Sequence, residues 1–328
     1  AVIRSYTYDN YGSVAEIKDY RALSNTGEKV NNPAYTVCTY TYDAYRRPAS
    51  MSYADSTDLN TVKEAYTYTY DKNSRLVRET IQNLYPEEVT DRQNEVRSYT
   101  YDVRGNLVRT EVEDLLNTEE SYVTAYTYDA VGNRLTQTKT TSGQTETTQY
   151  TYNSLNQMLT STTTKADGTV TETKTYQYDA NGNQIKEADS VSGAETNSTY
   201  DPAGRLASCI KKENGQITLE QTNQYNGSGA RIQKKESVTE AGVSTETVNN
   251  YFYSQGGVLY TEDGTGNGTS LNLQGISGNV IASAREKAGV ESYYYYHKDP
   301  TGSTTNLRSA DGTTVVSYQY TDFGETSI

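Results

Sequence analysis

Few residues in this chain are of a type that does chemistry. The sequence holds one histidine, His297, and two cysteines, Cys38 and Cys209. A serine–histidine–aspartate relay on a hydrolase-like fold needs a Gly-x-Ser-x-Gly elbow, and none accompanies His297. One histidine excludes a three-histidine zinc centre by count. The cysteines lie far apart and in no metal-ligand spacing, so they read as small buried apolar side chains rather than as a disulfide framework. Asp-Pro-x-Gly occurs twice, at Asp201 and Asp299. Paired aspartates held close can share a proton and do acid–base work, but both of these stand in turn positions and read as turns. The stretch Glu262–Thr269, EDGTGNGT, is rich in oxygen ligands. It lacks the Asp-x-Asp-x-Asp-Gly spacing and the terminal bidentate Glu of a calcium loop, and reads as a hairpin connection. The residue types therefore predict no catalytic, cofactor-binding or metal-binding residue, no cofactor, and a chain that is not an enzyme. His297 is expected to be structural.

The informative pattern is a repeat. Tyr126–Leu135 reads YTYDAVGNRL, and copies of it run along the chain. The anchors are Tyr6-Thr7-Tyr8-Asp9, Tyr40-Thr41-Tyr42-Asp43, Tyr68-Thr69-Tyr70-Asp71, Tyr99-Thr100-Tyr101-Asp102, Tyr126-Thr127-Tyr128-Asp129, Tyr150-Thr151-Tyr152-Asn153 and Tyr176-Gln177-Tyr178-Asp179. Degraded copies follow at Tyr200-Asp201, Tyr225-Asn226 and Tyr251–Ser254. The acidic or Asn positions stand between 22 residues (Asp179 to Asp201) and 34 residues (Asp9 to Asp43) apart. Such a loose period places inserted material at one end of each unit.

Asp at the first and Gly at the fourth position of a turn is type I chemistry: the carboxylate accepts from backbone amides ahead, and Gly takes the left-handed conformation that follows. Gly12, Gly105, Gly132, Gly182 and Gly204 stand in that fourth position after Asp9, Asp102, Asp129, Asp179 and Asp201. A type I turn with a left-handed Gly makes a hairpin with a bulge. The flanks alternate, so Tyr126 and Tyr128 share one face and Thr127 points to the other. Each unit is thus predicted to be two antiparallel strands, and successive units a long meander. Little helix is expected. Asn83–Asn94, with Pro86 inside it, is the expected irregular insertion. Stacked units should align their tyrosines into cross-strand ladders, each ring packed on its neighbour and each hydroxyl left hydrated.

The bulk composition agrees. There are 33 Tyr, only 2 Phe and no Trp in 328 residues, with hydrophobic residues at 34%. Disordered chains are poor in aromatics, so low hydrophobicity does not mean disorder here. The net charge of −13 disfavours nucleic acid and anionic membrane surfaces as partners. No run is long and apolar enough for a membrane-spanning helix, and no membrane insertion is expected. The first residues, AVIRSYTYDN, are not a signal peptide and lead straight into a motif copy, so the sequence is expected to be a fragment of a longer chain.

The repeated Tyr-x-Tyr-Asp-x-x-Gly-Asn-x-Leu resembles the Tyr-Asp (YD) repeat of the Rhs family, shared with the shell subunits of Tc-type insecticidal toxins and with teneurins. A second likeness follows. Tyr293–Thr305, YYYYHKDPTGSTT, and Asp311–Glu325, DGTTVVSYQYTDFGE, are similar to the start of the Rhs repeat-associated core, with Thr321-Asp322-Phe323-Gly324 slightly displaced from the pattern. The resemblance implies an all-β array of antiparallel hairpin units in one continuous spiralling sheet, a partial hollow shell. It implies a YD-repeat array over 1–255 and degenerate repeats leading into a truncated core over 256–328. It also implies a structural role: a wall that encapsulates or presents a polypeptide cargo such as a C-terminal toxin, secreted or at the bacterial cell surface. The expected partner is the remainder of its own chain or another copy meeting it through sheet edges. Exposed tyrosine rows could instead stack on sugar rings, which leaves a surface adhesin or carbohydrate-binding module as the alternative, with glycan as its partner.

Overall fold

The computed structural model describes residues 4–24, 28–86, 92–254, 256–275, 278–287 and 290–327. Among these, twenty-five strands join into one sheet, from Arg4–Tyr8 to Thr314–Ser317. Each strand pairs antiparallel with the one before it and the one after it, so the sheet is a simple meander in chain order. A separate two-strand ladder joins Gln319–Tyr320 to Thr326–Ser327. The one helical turn among the described residues is the 3-10 segment Thr118–Glu120, capped by Asn117. The expected all-β meander is what forms. The expected insertion at Asn83–Asn94 is narrower than its bounds: Leu76–Asn83 and Gln93–Tyr101 are both strands, and residues 87–91 lie outside the described ones.

The two ends of each hairpin differ in a way the sequence dictates. At the fixed end the Asp amide donates to the carbonyl four residues on, as Asp129 does to Asn133 at 2.9 Å, and the Gly amide donates back to the Asp carbonyl. Gly132 sits at φ 95°, so the left-handed region is used as the motif requires. Three units put Arg46, Ser74 and Asn156 in that slot, also at positive φ. A left-handed non-Gly residue costs roughly 1–2 kcal/mol. Arg46 offsets this by bridging to Asp9 and lying over the Tyr11 and Tyr42 rings. At the opposite end the connections vary: Ser142-Gly143, Asn214-Gly215 and Ala241-Gly242 are two-residue turns with both central residues at positive φ, while Lys165–Thr169 and Ser309–Thr313 repeat the Gly-terminated turn of the fixed end. The two-residue turns fit the right-handed twist of the strands.

The register carries one face through the whole sheet. Tyr6, Tyr40, Tyr68, Tyr99, Tyr126, Tyr150, Tyr176 and Tyr251 share it, and the threonines between the motif tyrosines point the other way, where they pair across strands. Thr127 meets Thr136 at 2.6 Å, and Thr151 meets Thr160 at 2.7 Å.

The sheet rolls toward its tyrosine face. Strands near the end of the chain lie against strands near its start, in matching order. Tyr6 approaches Gly275, Leu23 meets Tyr295, Tyr53 meets Lys298, Glu64 meets Thr305, Arg97 meets Tyr320 and Tyr126 meets Asp322. The first strands present their tyrosine face to this contact. The last strands present their opposite face, since Tyr294 and Tyr296, not Tyr293, Tyr295 and His297, continue the tyrosine side. This is the arrangement of a scroll, with residues 4–128 as the outer layer, 280–323 as the inner layer, and the strands between them as the arch that joins the two.

Candidate functional site: the tyrosine face

The carboxylate of each fixed turn is consumed locally. Asp102 Oδ1 accepts from the Arg104 and Asn106 amides at 2.8 and 2.9 Å, and its Oδ2 accepts from Asn106 Nδ2 at 2.9 Å. Asp129 and Asp179 repeat this with Asn133 and Asn183. Asp201 does so with the guanidinium of Arg205, while the second oxygen of Asp9 reaches across to Arg46 of the next unit. Bonds from the Asn106 and Asn183 side chains, then the backbone amides, hold Asp102 and Asp179 below the ordinary carboxylate range. Gly12, Gly105, Gly182 and Gly204 all lie at positive φ between 75° and 92°. Asp263 and Asp299 build the same turn, so EDGTGNGT is a further repeat turn and the Asp299-Pro300 pair a turn as expected. Thr321 takes the Asp slot in the displaced copy, its hydroxyl accepting from the Glu325 amide.

The two tyrosines of a motif do different things. The second donates its hydroxyl to a backbone carbonyl of the preceding unit, five residues after that unit's turn Asp or Asn. Tyr42 bonds Val14, Tyr70 Pro48, Tyr101 Leu76, Tyr128 Leu107 and Tyr152 Arg134, at 2.7–3.0 Å. Tyr178 bonds Met158, Tyr200 Gln184, Tyr225 Leu206 and Tyr253 Arg231, at 2.8–2.9 Å. Tyr8 has no preceding unit among the described residues and is 57% exposed. This corrects the expectation that the hydroxyls stay hydrated. It also corrects the expectation that ring stacking knits the units. Among the described residues, the ring pairs are Tyr20–Tyr35, Phe252–Tyr260, Tyr126–Phe323, and His297 with Tyr53 and Tyr85; none joins motif tyrosines of neighbouring units. The links are the backbone ladder, the hydroxyl-to-carbonyl stitch, and arginines laid over the next unit's ring, as Arg47 over Tyr70 at 4.5 Å.

The first tyrosine stands free of the stitch and lines the face. Tyr99 donates to Glu79 at 2.5 Å, and Tyr176 meets Ser161 at 3.3 Å. Under the inner layer, Tyr126 is 5% exposed and donates to Asp322 at 2.9 Å, with Phe323 edge-on at 5.3 Å. Burial, then Asp322, pushes its phenol well up.

Sequence reading missed the polar heart of this contact. Glu64 is fully buried. Its carboxylate accepts from Tyr66 at 2.9 Å, Thr305 at 2.5 Å, Asn306 at 3.1 Å and His297 Nδ1 at 2.8 Å. His297 lies flat on Tyr53 at 4.3 Å, with Tyr85 edge-on at 5.1 Å. Its ring nitrogen thus meets a carboxylate 233 residues away in the sequence. Beside it, Arg21 and Arg308 converge on Asp55. Cys38 is free and buried in the adjoining apolar cluster with Met51, Tyr66 and Ile81, and burial pushes its thiol up to about 12. Cys209 is also free and buried. No group of three or more metal-ligating side chains occurs among the described residues.

These features match known shells. A family profile described as teneurin YD-shell matches residues 1–328. No curated protein sequence matches the chain. Among solved structures, the TcdB2-TccC3 complex is similar at a TM-score of 0.55 and 14% identity, over 99% of this chain and 18% of that one. TcdB2-TccC3-TEV gives 0.54 and 13% over the same shares, and the Photorhabdus luminescens Tc holotoxin pore gives 0.54 and 14% over 98% and 18%. The chain therefore spans under a fifth of the length of the solved chains it matches, and at these identities the likeness is one of fold. A meander of Tyr-Asp hairpins, stitched unit to unit and rolled toward its tyrosines, belongs to the teneurin YD-shell family.

Proposed function

We propose that this chain is a segment of shell wall that encloses or presents a polypeptide cargo, such as a C-terminal toxin, and that it works by holding and shielding rather than by any reaction of its own. The observation that carries the reading is how the tyrosine face takes a second layer of polypeptide. Residues 293–323 lie on it through polar contacts and ring contacts set around the buried cluster of Cys38, Met51, Tyr53, Tyr66, Ile81 and Tyr85. A face that accepts chain in this manner suits the lining of a container. The tyrosine side of the arch looks into the same interior and carries hydroxyls, amides and charges of both signs, including Thr148, Thr163, Lys174, Glu187 and Lys211. Secretion or display at a bacterial surface is the setting we propose, where an enclosed cargo needs a wall.

The test is a fusion of a protease-sensitive polypeptide after Ile328. The wall reading expects its digestion to be slowed relative to the free polypeptide, and curved hollow particles in electron micrographs. Digestion at the free rate, together with saturable, tyrosine-dependent binding on a glycan array, would overturn it in favour of a carbohydrate-binding module.

A further inference from the structure

We propose that Glu64 is the lock of the scroll: it fixes the inner layer in one register against the outer layer, and without its carboxylate the inner layer unwinds while the meander stays folded. The lock does not depend on what the wall encloses.

The strands of the outer layer repeat with a spacing of about 10 Å per two-strand unit. Rings stand on the tyrosine face of successive outer-layer units, as Tyr40, Tyr68, Tyr99 and Tyr126 do, so by themselves they do not choose one alignment of the inner layer over the next. A polar group buried at a single position does choose, because every other alignment leaves it without partners. The residue four before the first motif tyrosine is the place to look. It is Thr36, Glu64, Glu95, Glu146 and Glu172 in successive or nearby units. Glu95 is served by its own strand, through Arg97 and through Gln93 at 2.8 Å. Glu172 has Lys174 at 2.8 Å in its own strand. Glu146 is exposed to water. Thr36 accepts from Arg21 at 3.0 Å within the outer layer.

Only Glu64 has a tyrosine, Tyr66, where the others have a cation or water, and takes its remaining three donors from the inner layer: His297, Thr305 and Asn306. Those donors are themselves placed by unique contacts. Asn306 accepts from Asn83 at 3.1 Å, and the Tyr53 hydroxyl bonds both the carbonyl and the amide of Lys298, at 2.8 and 3.1 Å. Sliding the inner layer by one unit would strand the Glu64 carboxylate in a dry layer and bring His297 under Glu95 or Thr36, where the acceptors are already taken.

The experiment is Glu64→Gln in the full chain, read by trypsin cleavage after Lys298 and Arg308 and by hydrogen exchange along the sheet. The amide keeps the size of the side chain but removes its charge and offers one acceptor oxygen where the carboxylate offers two, so its NH2 must face either the Tyr66 and Thr305 hydroxyls or the His297 and Asn306 nitrogens. Cleavage at the two inner-layer sites is expected to rise on the order of 100-fold or more, the range for breaking one partner of a buried charged network. Exchange in the hairpins between Arg134 and Tyr225 is expected to stay as in the wild type. His297→Phe, which keeps a ring between Tyr53 and Tyr85, gives an independent reading and is expected to act in the same direction to a smaller extent. Wild-type protection of Arg308 in both variants would overturn the proposal. So would a Glu64→Gln protein that loses protection equally in the middle hairpins, because Glu64 would then support the fold as a whole rather than the winding.

Discussion

The same motif builds the outer layer and the arch, yet the two regions end in opposite environments. In the outer layer Met51, Tyr53, Tyr66, Ile81, Val112 and Tyr126 are all under 10% exposed. In the arch, Tyr150 and Tyr176 are only half-buried, and their neighbours on that face are Gln137, Thr148, Ser161 and Lys174. Turns, bulges and stitches are alike in both. The Tyr-Asp motif therefore makes the sheet, and the residues beside it on the tyrosine face decide where a second layer can lie. Apolar residues there need a cover, whereas threonines and lysines do not.

The comparison is broken most severely by cutting the same ring from each region. Tyr66→Ala should cost about 3–5 kcal/mol, the range for a large aromatic side chain removed from a filled core. Tyr176→Ala should cost roughly 1–2 kcal/mol, because its ring already keeps part of its surface in water. A rolled repeat array need not unfold in one step. The measurement is therefore hydrogen exchange resolved by hairpin, with each loss confined to the units around the substitution. Equal losses at the two sites would mean that coverage by the inner layer adds nothing.

That contrast also shows how much could be read in advance. Asp129 and Gly132 gave the turn, Tyr126-Thr127-Tyr128 gave the two faces, and together they gave a meander, because each of these depends on residues within a few positions. The roll depends on strands more than 200 residues apart, and no local period reports that. Three signals were present all the same. Tyr293–Tyr296 is a run of four rings, which breaks the alternation of a strand with one wet side; Tyr293 and Tyr295 are in fact buried against the outer layer and its edge. His297 stands in the slot that is Thr in most units, on the face that is exposed elsewhere. A Glu two residues before a tyrosine rather than before a cation, Glu64, was the matching mark on the other layer. For the hydroxyl of the second tyrosine, hydration and a bond to a carbonyl make the same demand on the sequence. Only the position of Leu107 or Met158 next to the ring tells them apart.

The stitch should be indifferent to coverage. Tyr70→Phe in the outer layer and Tyr178→Phe in the arch each remove one hydroxyl, from the carbonyls of Pro48 and Met158. Each should cost about 1 kcal/mol, the net value of a typical neutral hydrogen bond. Exchange in the preceding unit, compared between the two variants, checks this. A much larger effect at Tyr70 would show that the inner layer helps to hold the stitch.

Acid should produce the smallest effect, and it divides units by residue type instead of by layer. Asp102 and Asp179 are held below the usual carboxylate range by their Asn partners and backbone amides, and Asp263 is held at about 2, first by the Thr265 hydroxyl and then by the amides of its turn. A carboxylate whose folded value is depressed stabilises the turn above its unfolded value, near 3.9. That contribution is lost as the pH falls from there through the folded value, between about 4 and 2 for Asp263. Asn153 and Asn226 make the same bonds without a titrating group; Asn153 accepts from the Leu155 and Gln157 amides, and Asn226 from those of Ser228 and Ala230. On acidification below pH 4, the turns at Asp102, Asp179 and Asp263 should lose exchange protection, after correction for intrinsic rates, while those at Asn153 and Asn226 keep theirs. If the Asn turns opened in step with the Asp turns, acid would be acting on the sheet through some group outside the turns, and the buried carboxylates between the layers would be the first place to look.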